Sequence, residues 1–263
     1  MKVGVAQFQI VPGEVEQNYK KGENFIKQAK EEGCDLILLP EVWTTGFLFK
    51  KLKELSKTTP DILKEVKKLS KGIMICGTYV VDNPDSDKVF NIFYAILNGE
   101  ILFSYKKTML FGLTGEDRFF DRGDIEQNST FNALDTTFGV TVCYELRFPE
   151  LFRKASFSRA KVHLHTAIWP QTRLEHWATL TRARAIENQL FLLTTNGVGI
   201  SGKWELCGHS TIYDPWGEIL VNLKHKEGLE FAHINLEDVE KTREQLTSLK
   251  DSIRFLKDIY SPK

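Results

Sequence analysis

Val140-Thr141-Val142-Cys143-Tyr144-Glu145-Leu146-Arg147-Phe148-Pro149-Glu150 is the stretch around which the rest of the chain is organised. Apolar and β-branched residues run up to a cysteine, a polar turn follows, and Pro149 with Glu150 opens a helix. A strand, a turn and a helix in that order mark an α/β unit. The thiol is carried on the strand tip and aimed at a helix N-terminus, whose free N–H groups and partial positive charge favour a thiolate. A single cysteine on an apolar strand is more often inert core. Two other segments oppose that reading here: an acid directly after Leu38-Leu39-Pro40, and a lysine in Tyr105-Lys106-Lys107.

Outward from this unit, strand-like and helix-like segments alternate to both ends. Lys2 to Phe8, Asp35 to Leu39, Ile73 to Val81, Lys88 to Leu97, Ile101 to Tyr105 and Thr136 to Cys143 read as strands. So do Lys161 to Ile168, Leu190 to Thr195, Cys207 to Tyr213, Gly217 to Leu223 and Phe231 to Ile234. Val15 to Glu32, Asp61 to Lys71, Pro149 to Ser156, Leu174 to Gln189 and Leu236 to Ser248 read as helices. Asn98-Gly99 predicts a two-residue hairpin turn. No linker or repeat interrupts the chain, so one domain spanning 1–263 is expected. Its charged tail, about 249–263, is expected to be solvated or docked on a partner subunit. Strands this numerous, some joined as hairpins, predict an α/β fold with two mixed sheets packed face to face under helices.

Composition narrows the partners. The 35 basic and 35 acidic residues cancel, which argues against nucleic acid or an anionic membrane. The longest apolar runs are too short to cross a bilayer. Cys34, Cys76, Cys143 and Cys207 form no C-x-x-C pair, so no metal or redox motif is indicated and no cofactor is expected. Isolated cysteines and a chain that enters a strand at once, without a targeting segment, suit the reducing cytoplasm.

The chemistry lies at three strand ends. Glu41 follows a buried run closed by Pro40, a placement suited to a general base. Lys107 follows a strand, and an inward ammonium there can stabilise an oxyanion. Taken singly, each is more often a surface charge. Taken with Cys143 they supply a nucleophile, its base and an oxyanion donor without histidine or metal.

These segments resemble the nitrilase superfamily of carbon–nitrogen hydrolases over nearly the whole chain. Leu38-Leu39-Pro40-Glu41 is similar to the family's glutamate segment, Tyr105-Lys106-Lys107 with Leu110-Phe111 to its lysine segment, and Val142 to Glu150 to its nucleophile elbow. Pro40-Glu41-Val42-Trp43, Trp169-Pro170, His176-Trp177, Arg182 to Gln189 and Gly208-His209-Ser210-Thr211 resemble the omega-amidase branch. Met109 departs from it, standing where relatives often carry histidine. The resemblance implies a four-layer αββα sandwich, a Glu41-Lys107-Cys143 triad, no metal, and a homodimer or larger assembly. It further implies that Glu116 orders the lysine and the attacking water, and that the Tyr144 backbone N–H joins Lys107 at the oxyanion. A small carboxylate-bearing amide such as 2-oxoglutaramate or 2-oxosuccinamate would pass through a thioester on Cys143 before water releases the acid. A cation must meet the substrate carboxylate. Arg173 leads, with Arg147 and Lys203 as alternatives, and Trp169 is expected in the pocket wall. Lys107→Ala should reduce turnover far more than stability. Competing readings are another hydrolase of the superfamily (aliphatic amidase, carbamoyl-amide hydrolase or nitrilase) and a non-catalytic scaffold of the same fold.

Overall fold

Apolar residues two apart share one face of a strand, and that spacing builds both sheets. The computed structural model describes residues 1–260. Its strands are β1 (Lys2–Gln7), β2 (Leu36–Leu38), β3 (Met74–Asp82), β4 (Val89–Leu97) and β5 (Glu100–Lys106). There follow β6 (Thr130–Ala133), β7 (Thr136–Val142), β8 (Val162–Ala167) and β9 (Phe191–Asn196). The series closes with β10 (Val198–Ser201), β11 (Trp204–Cys207), β12 (Thr211–Tyr213), β13 (Ile219–Asn222) and β14 (Gly228–His233). One six-stranded sheet has the order β14-β1-β2-β3-β4-β5 and the other β13-β12-β9-β8-β7-β6. Each has a parallel centre, β1-β2-β3 or β7-β8-β9, with antiparallel strands outside it.

The sheets stack through their inner faces: Val3, Val5, Leu36, Leu38 and Phe93 meet Phe138, Val140, Val142, Leu164 and Leu193. The outer face of the first sheet, with Ile37 and Ile75, carries helices α1 (Val15–Glu31) and α3 (Thr59–Leu69) through Ile26, Ala29, Ile62 and Val66, while the short α2 (Leu52–Leu55) between them packs Leu52 against Val42, Val80, Val89 and Phe120. The outer face of the second carries α4 (Pro149–Phe157) and α5 (Leu174–Asn188) through Phe152, Trp177 and Ala185 against Leu192. The αββα sandwich is therefore present, with both sheets mixed. Under α4 and α5, His163 and His165 share the Thr141 hydroxyl at 2.9 and 2.8 Å. Burial takes His163 down to about 3 and His165 well below the usual histidine value, so both rings are neutral.

Several elements differ from expectation. Cys207 to Tyr213 is not one strand. Gly208 and His209 take positive φ, splitting it into β11, which forms a two-stranded sheet with β10, and β12 in the second sheet. Strand β6 and the turns over 49–58 carry no clear period and went unpredicted. The last expected helix ends early: α6 (Glu237–Gln245) stops at extended Leu246, and α7 (Ser248–Tyr260) packs on α5 and α6 of its own chain. The expected free or partner-docked tail is thus helical as far as residue 260, and 261–263 lie outside the described residues. Asn98 (φ 51°) and Gly99 (φ 87°) make the expected hairpin turn between β4 and β5.

Candidate active site

The C-terminal ends of β2, β5, β7 and β8 converge, two from each sheet. Pro40 ends the β2 segment, and Glu41 turns inward, fully buried. The Glu41 N–H reaches the Ala167 carbonyl (3.4 Å) and Thr195 Oγ1 donates to the Leu39 carbonyl (3.1 Å), so this segment is stitched to the opposite sheet. Lys107, one residue past β5, is 1 % exposed, while Lys106 faces solvent. Strand alternation thus resolves the lysine pair in favour of Lys107. Its Nζ donates to Glu41 Oε1 at 2.9 Å and to Glu116 Oε1 at 2.7 Å. Glu116 is held in turn by the Phe111 N–H on Oε2 (2.7 Å). Burial alone would strip the charge from Lys107, but the carboxylates of Glu116 and Glu41 hold its ammonium well above the ordinary lysine value. Burial raises the Glu116 carboxyl, against the pull of Lys107.

Glu41 is asymmetric. Oε1 accepts both Lys107 and the Asn91 amide (2.8 Å), whereas Oε2 accepts the Ile168 N–H at 3.0 Å. Oε2 is therefore the oxygen with room to accept a proton. The Cys143 thiol donates to the carbonyl of the same Ile168 at 3.7 Å, so sulfur and Oε2 meet on either side of one residue. Cys143 opens the 3-10 turn Cys143–Arg147 with φ +48°, a strained left-handed conformation for a side chain with a Cβ. As the next residue of this first turn, Tyr144 has an N–H without an intrahelical acceptor. The pull of a helix N-terminus toward the thiolate is outweighed here. Burial and the Glu41 carboxylate push the thiol well above its usual value, and Lys107 only partly offsets them. Desolvation outweighs the short turn's partial charge, so the thiol form is favoured beside Glu41.

A cavity opens over these groups. Lys107, Glu116 and Cys143 line its floor; Phe47, Phe49, Phe111, Tyr144, Trp169 and Trp204 supply aromatic walls. Trp169 is 3 % exposed, and its indole N–H is tied to the Arg173 carbonyl (2.9 Å). Arg147 and Arg173 both line the cavity; their guanidinium carbons lie over Trp169 (4.8 Å) and Phe111 (5.3 Å). Arg147 also meets His176 Nδ1 at 3.3 Å. Among the described residues, the arginine ion pairs belong to Arg182 and Arg184 instead. Lys203 caps the Trp204 ring and does not line the cavity. Met109 contributes its backbone N–H to Glu145 (3.2 Å), so the histidine-to-methionine departure leaves that bond intact. Arg184 supports the elbow by donating to the Leu146 carbonyl at 3.2 and 2.9 Å.

Sequence reasoning assigned no role to two buried groups that touch this network, Asn91 and Glu145. Asn91 sits in the alternating β4 pattern and looks like any inward polar residue. Glu145 was readable as turn polarity, although an acid between Tyr144 and apolar Leu146 is a signal of an inward carboxylate. Among the described residues, no cluster of three His, Cys, Asp or Glu side chains could hold a metal, and no helix is long and apolar enough to cross a membrane.

Residues 2–244 match the carbon-nitrogen hydrolase family profile. The chain belongs to that family, within the nitrilase superfamily, and is an amidase-type enzyme acting on carbon–nitrogen bonds outside peptides. Within the family it is 35 % identical to a 2-oxoglutaramate amidase of Bacillus subtilis, over 98 % of each chain. It is 26 % identical to the human omega-amidase NIT2 over 87 % of each. The Caenorhabditis elegans NitFhit protein superimposes with a TM-score of 0.88 at 26 % identity, covering 95 % of this chain and 64 % of that one.

Proposed function

We propose that this enzyme hydrolyses the terminal amide of a small carboxylate-bearing substrate, in the manner of an omega-amidase, through a thioester on Cys143. One observation carries this reading: the Glu41–Lys107–Glu116 ion chain lies beside a strained, cavity-lining cysteine, in a cavity with two arginines that have no carboxylate partner among the described residues. Glu41 Oε2 takes the thiol proton as sulfur attacks the amide carbon. Lys107 Nζ and the Tyr144 N–H receive the oxyanion. Collapse passes the proton from Glu41 to the leaving nitrogen, and ammonia departs. Water then gives a proton to Glu41 and attacks the thioester, with Glu116 keeping Lys107 in place; the released sulfur regains the proton. Arg173 and Arg147 present in-plane N–H edges to the carboxylate, because stacking occupies only the guanidinium faces. The reading also makes the protein a cytoplasmic homodimer or larger assembly.

The test is ammonia release from 2-oxoglutaramate, 2-oxosuccinamate, a neutral amide, a carbamoyl compound and a nitrile, repeated with Arg173→Ala and Arg147→Ala. The expected result is preference for the carboxylate-bearing amides, reduced by about 10- to 100-fold when a charge-assisted contact is lost. Equal losses on charged and neutral amides would remove the carboxylate role. Preference for the nitrile or carbamoyl compound would move the enzyme to another branch.

A further inference from the structure

Glu145 is fully buried and is the acceptor of five hydrogen bonds. Its Oε1 takes the Tyr105 hydroxyl (2.9 Å), the Thr108 N–H (2.7 Å), the Thr108 hydroxyl (2.7 Å) and the Met109 N–H (3.2 Å). Its Oε2 takes the Val142 N–H (2.7 Å). The first four donors flank Lys107 on both sides; the fifth immediately precedes Cys143. One carboxylate therefore joins the lysine segment of the first sheet to the nucleophile elbow of the second. It also closes the turn over Cys143 and Tyr144, where the left-handed φ of Cys143 persists only if its surroundings over-determine it.

Resting on the thiol reading above, we infer that Glu145 is a positioning residue that holds the Cys143 elbow and the Lys107 segment in one frame, and that it does so as an ionised acceptor. Three of the five partners are backbone N–H groups, which cannot accept, and one of them stands alone on Oε2, so an amide nitrogen or a protonated oxygen there would set donor against donor. Burial raises this carboxyl and the hydrogen bonds pull it back, which makes the donor set what keeps the charge. In Glu145→Gln the carbonyl oxygen can serve the lysine side, and the amide then opposes the Val142 N–H and frees the elbow. In Glu145→Asp the shorter arm cannot reach both sides.

The experiment compares the full-length enzyme with Glu145→Gln, Glu145→Asp and the milder Thr108→Val. Three quantities are read: kcat and KM on 2-oxoglutaramate, thermal stability, and the rate of Cys143 alkylation by iodoacetamide. Glu145→Gln should lower kcat about 100-fold or more with KM within about threefold, and slow alkylation in parallel. Thr108→Val, which keeps the carboxylate, should lower kcat several-fold in the same direction and cover the case in which the first two fail to fold. A melting point that falls while kcat and alkylation below it stay normal would overturn the positioning role. Alkylation runs without substrate, so it separates this proposal from the function: a wild type that alkylates at Cys143 but hydrolyses no amide sinks the amidase reading and leaves the frame standing.

Discussion

Lys107 shows how the structure changes an expectation at the residue scale. Read alone, its loss should cost turnover more than stability. Paired with two buried carboxylates, it does both jobs. In the proposed mechanism, truncation to Ala removes an oxyanion donor, worth about 3 kcal/mol or roughly a hundredfold in rate. It also leaves Glu41 and Glu116 unneutralised in a dry site, which costs about 3–5 kcal/mol. Lys107→Ala should therefore lose most of its activity and also melt earlier; denaturant midpoints beside initial rates would check both. His163 offers a cleaner titration. Its folded value of about 3 lies below the unfolded value near 6.5, so the unfolded chain binds a proton that the native chain refuses. Its contribution is complete above about pH 6.5 and fades by about 1.4 kcal/mol per pH unit as the solution is acidified toward pH 3. His163→Gln should reduce proton uptake on unfolding at pH 5 by about one, as measured by calorimetry in buffers of different ionisation enthalpy.

At the scale of elements, local preference and tertiary packing can be set against each other at Gly22 of α1. Helix propensity favours Ala over Gly there by about 1 kcal/mol. A Cβ at this position, however, would sit within 2.6 Å of Trp43 Cε3 and closer still to Cζ3. Trp43 is buried between Tyr19 and Tyr79 and cannot step aside. Overpacking costs about 1–3 kcal/mol, so Gly22→Ala should destabilise on balance. Because Trp43 lies two residues past Glu41, kcat should fall as well; a more stable, fully active variant would refute the argument. The same distinction explains what could be read from sequence. Glu41 after Pro40 and Cys143 at a strand tip are marked by local pattern, whereas the residues alone left Lys106 and Lys107 open and the family resemblance chose Lys107, which the structure buries. The α/β order and the paired sheets followed from periods of two and 3.6. What stayed hidden depends on contacts between distant segments. Asn91 reaches Glu41 across 50 residues and Glu145 reaches Thr108 across 37, and neither contact leaves a mark in its own neighbourhood. Strand β6 and the β10–β11 hairpin are short and irregular in period, so tertiary pairing rather than propensity defines them.

On the scale of the whole molecule, the groups of the proposed mechanism belong to neither sheet alone. Glu41, Lys107 and Glu116 come from the first, Cys143 and Ile168 from the second, and only the packed sandwich assembles them. The assembled cavity is electrically lopsided. Two carboxylates, Glu41 and Glu116, face one ammonium, Lys107, at the inner end, while Arg147 and Arg173 line the cavity with no carboxylate partner among the described residues. An incoming monoamide can meet this polarity with its neutral end innermost. In the proposed reaction, hydrolysis turns that neutral end into a second carboxylate beside Glu41 and Glu116, whose charge Lys107 only partly offsets, with little water to screen it. The reaction thus makes its own product unwelcome, and ejection needs no separate moving part. The dicarboxylate should bind about tenfold or more weaker than the amide, some 1.4 kcal/mol, a difference that a product-inhibition series can read directly.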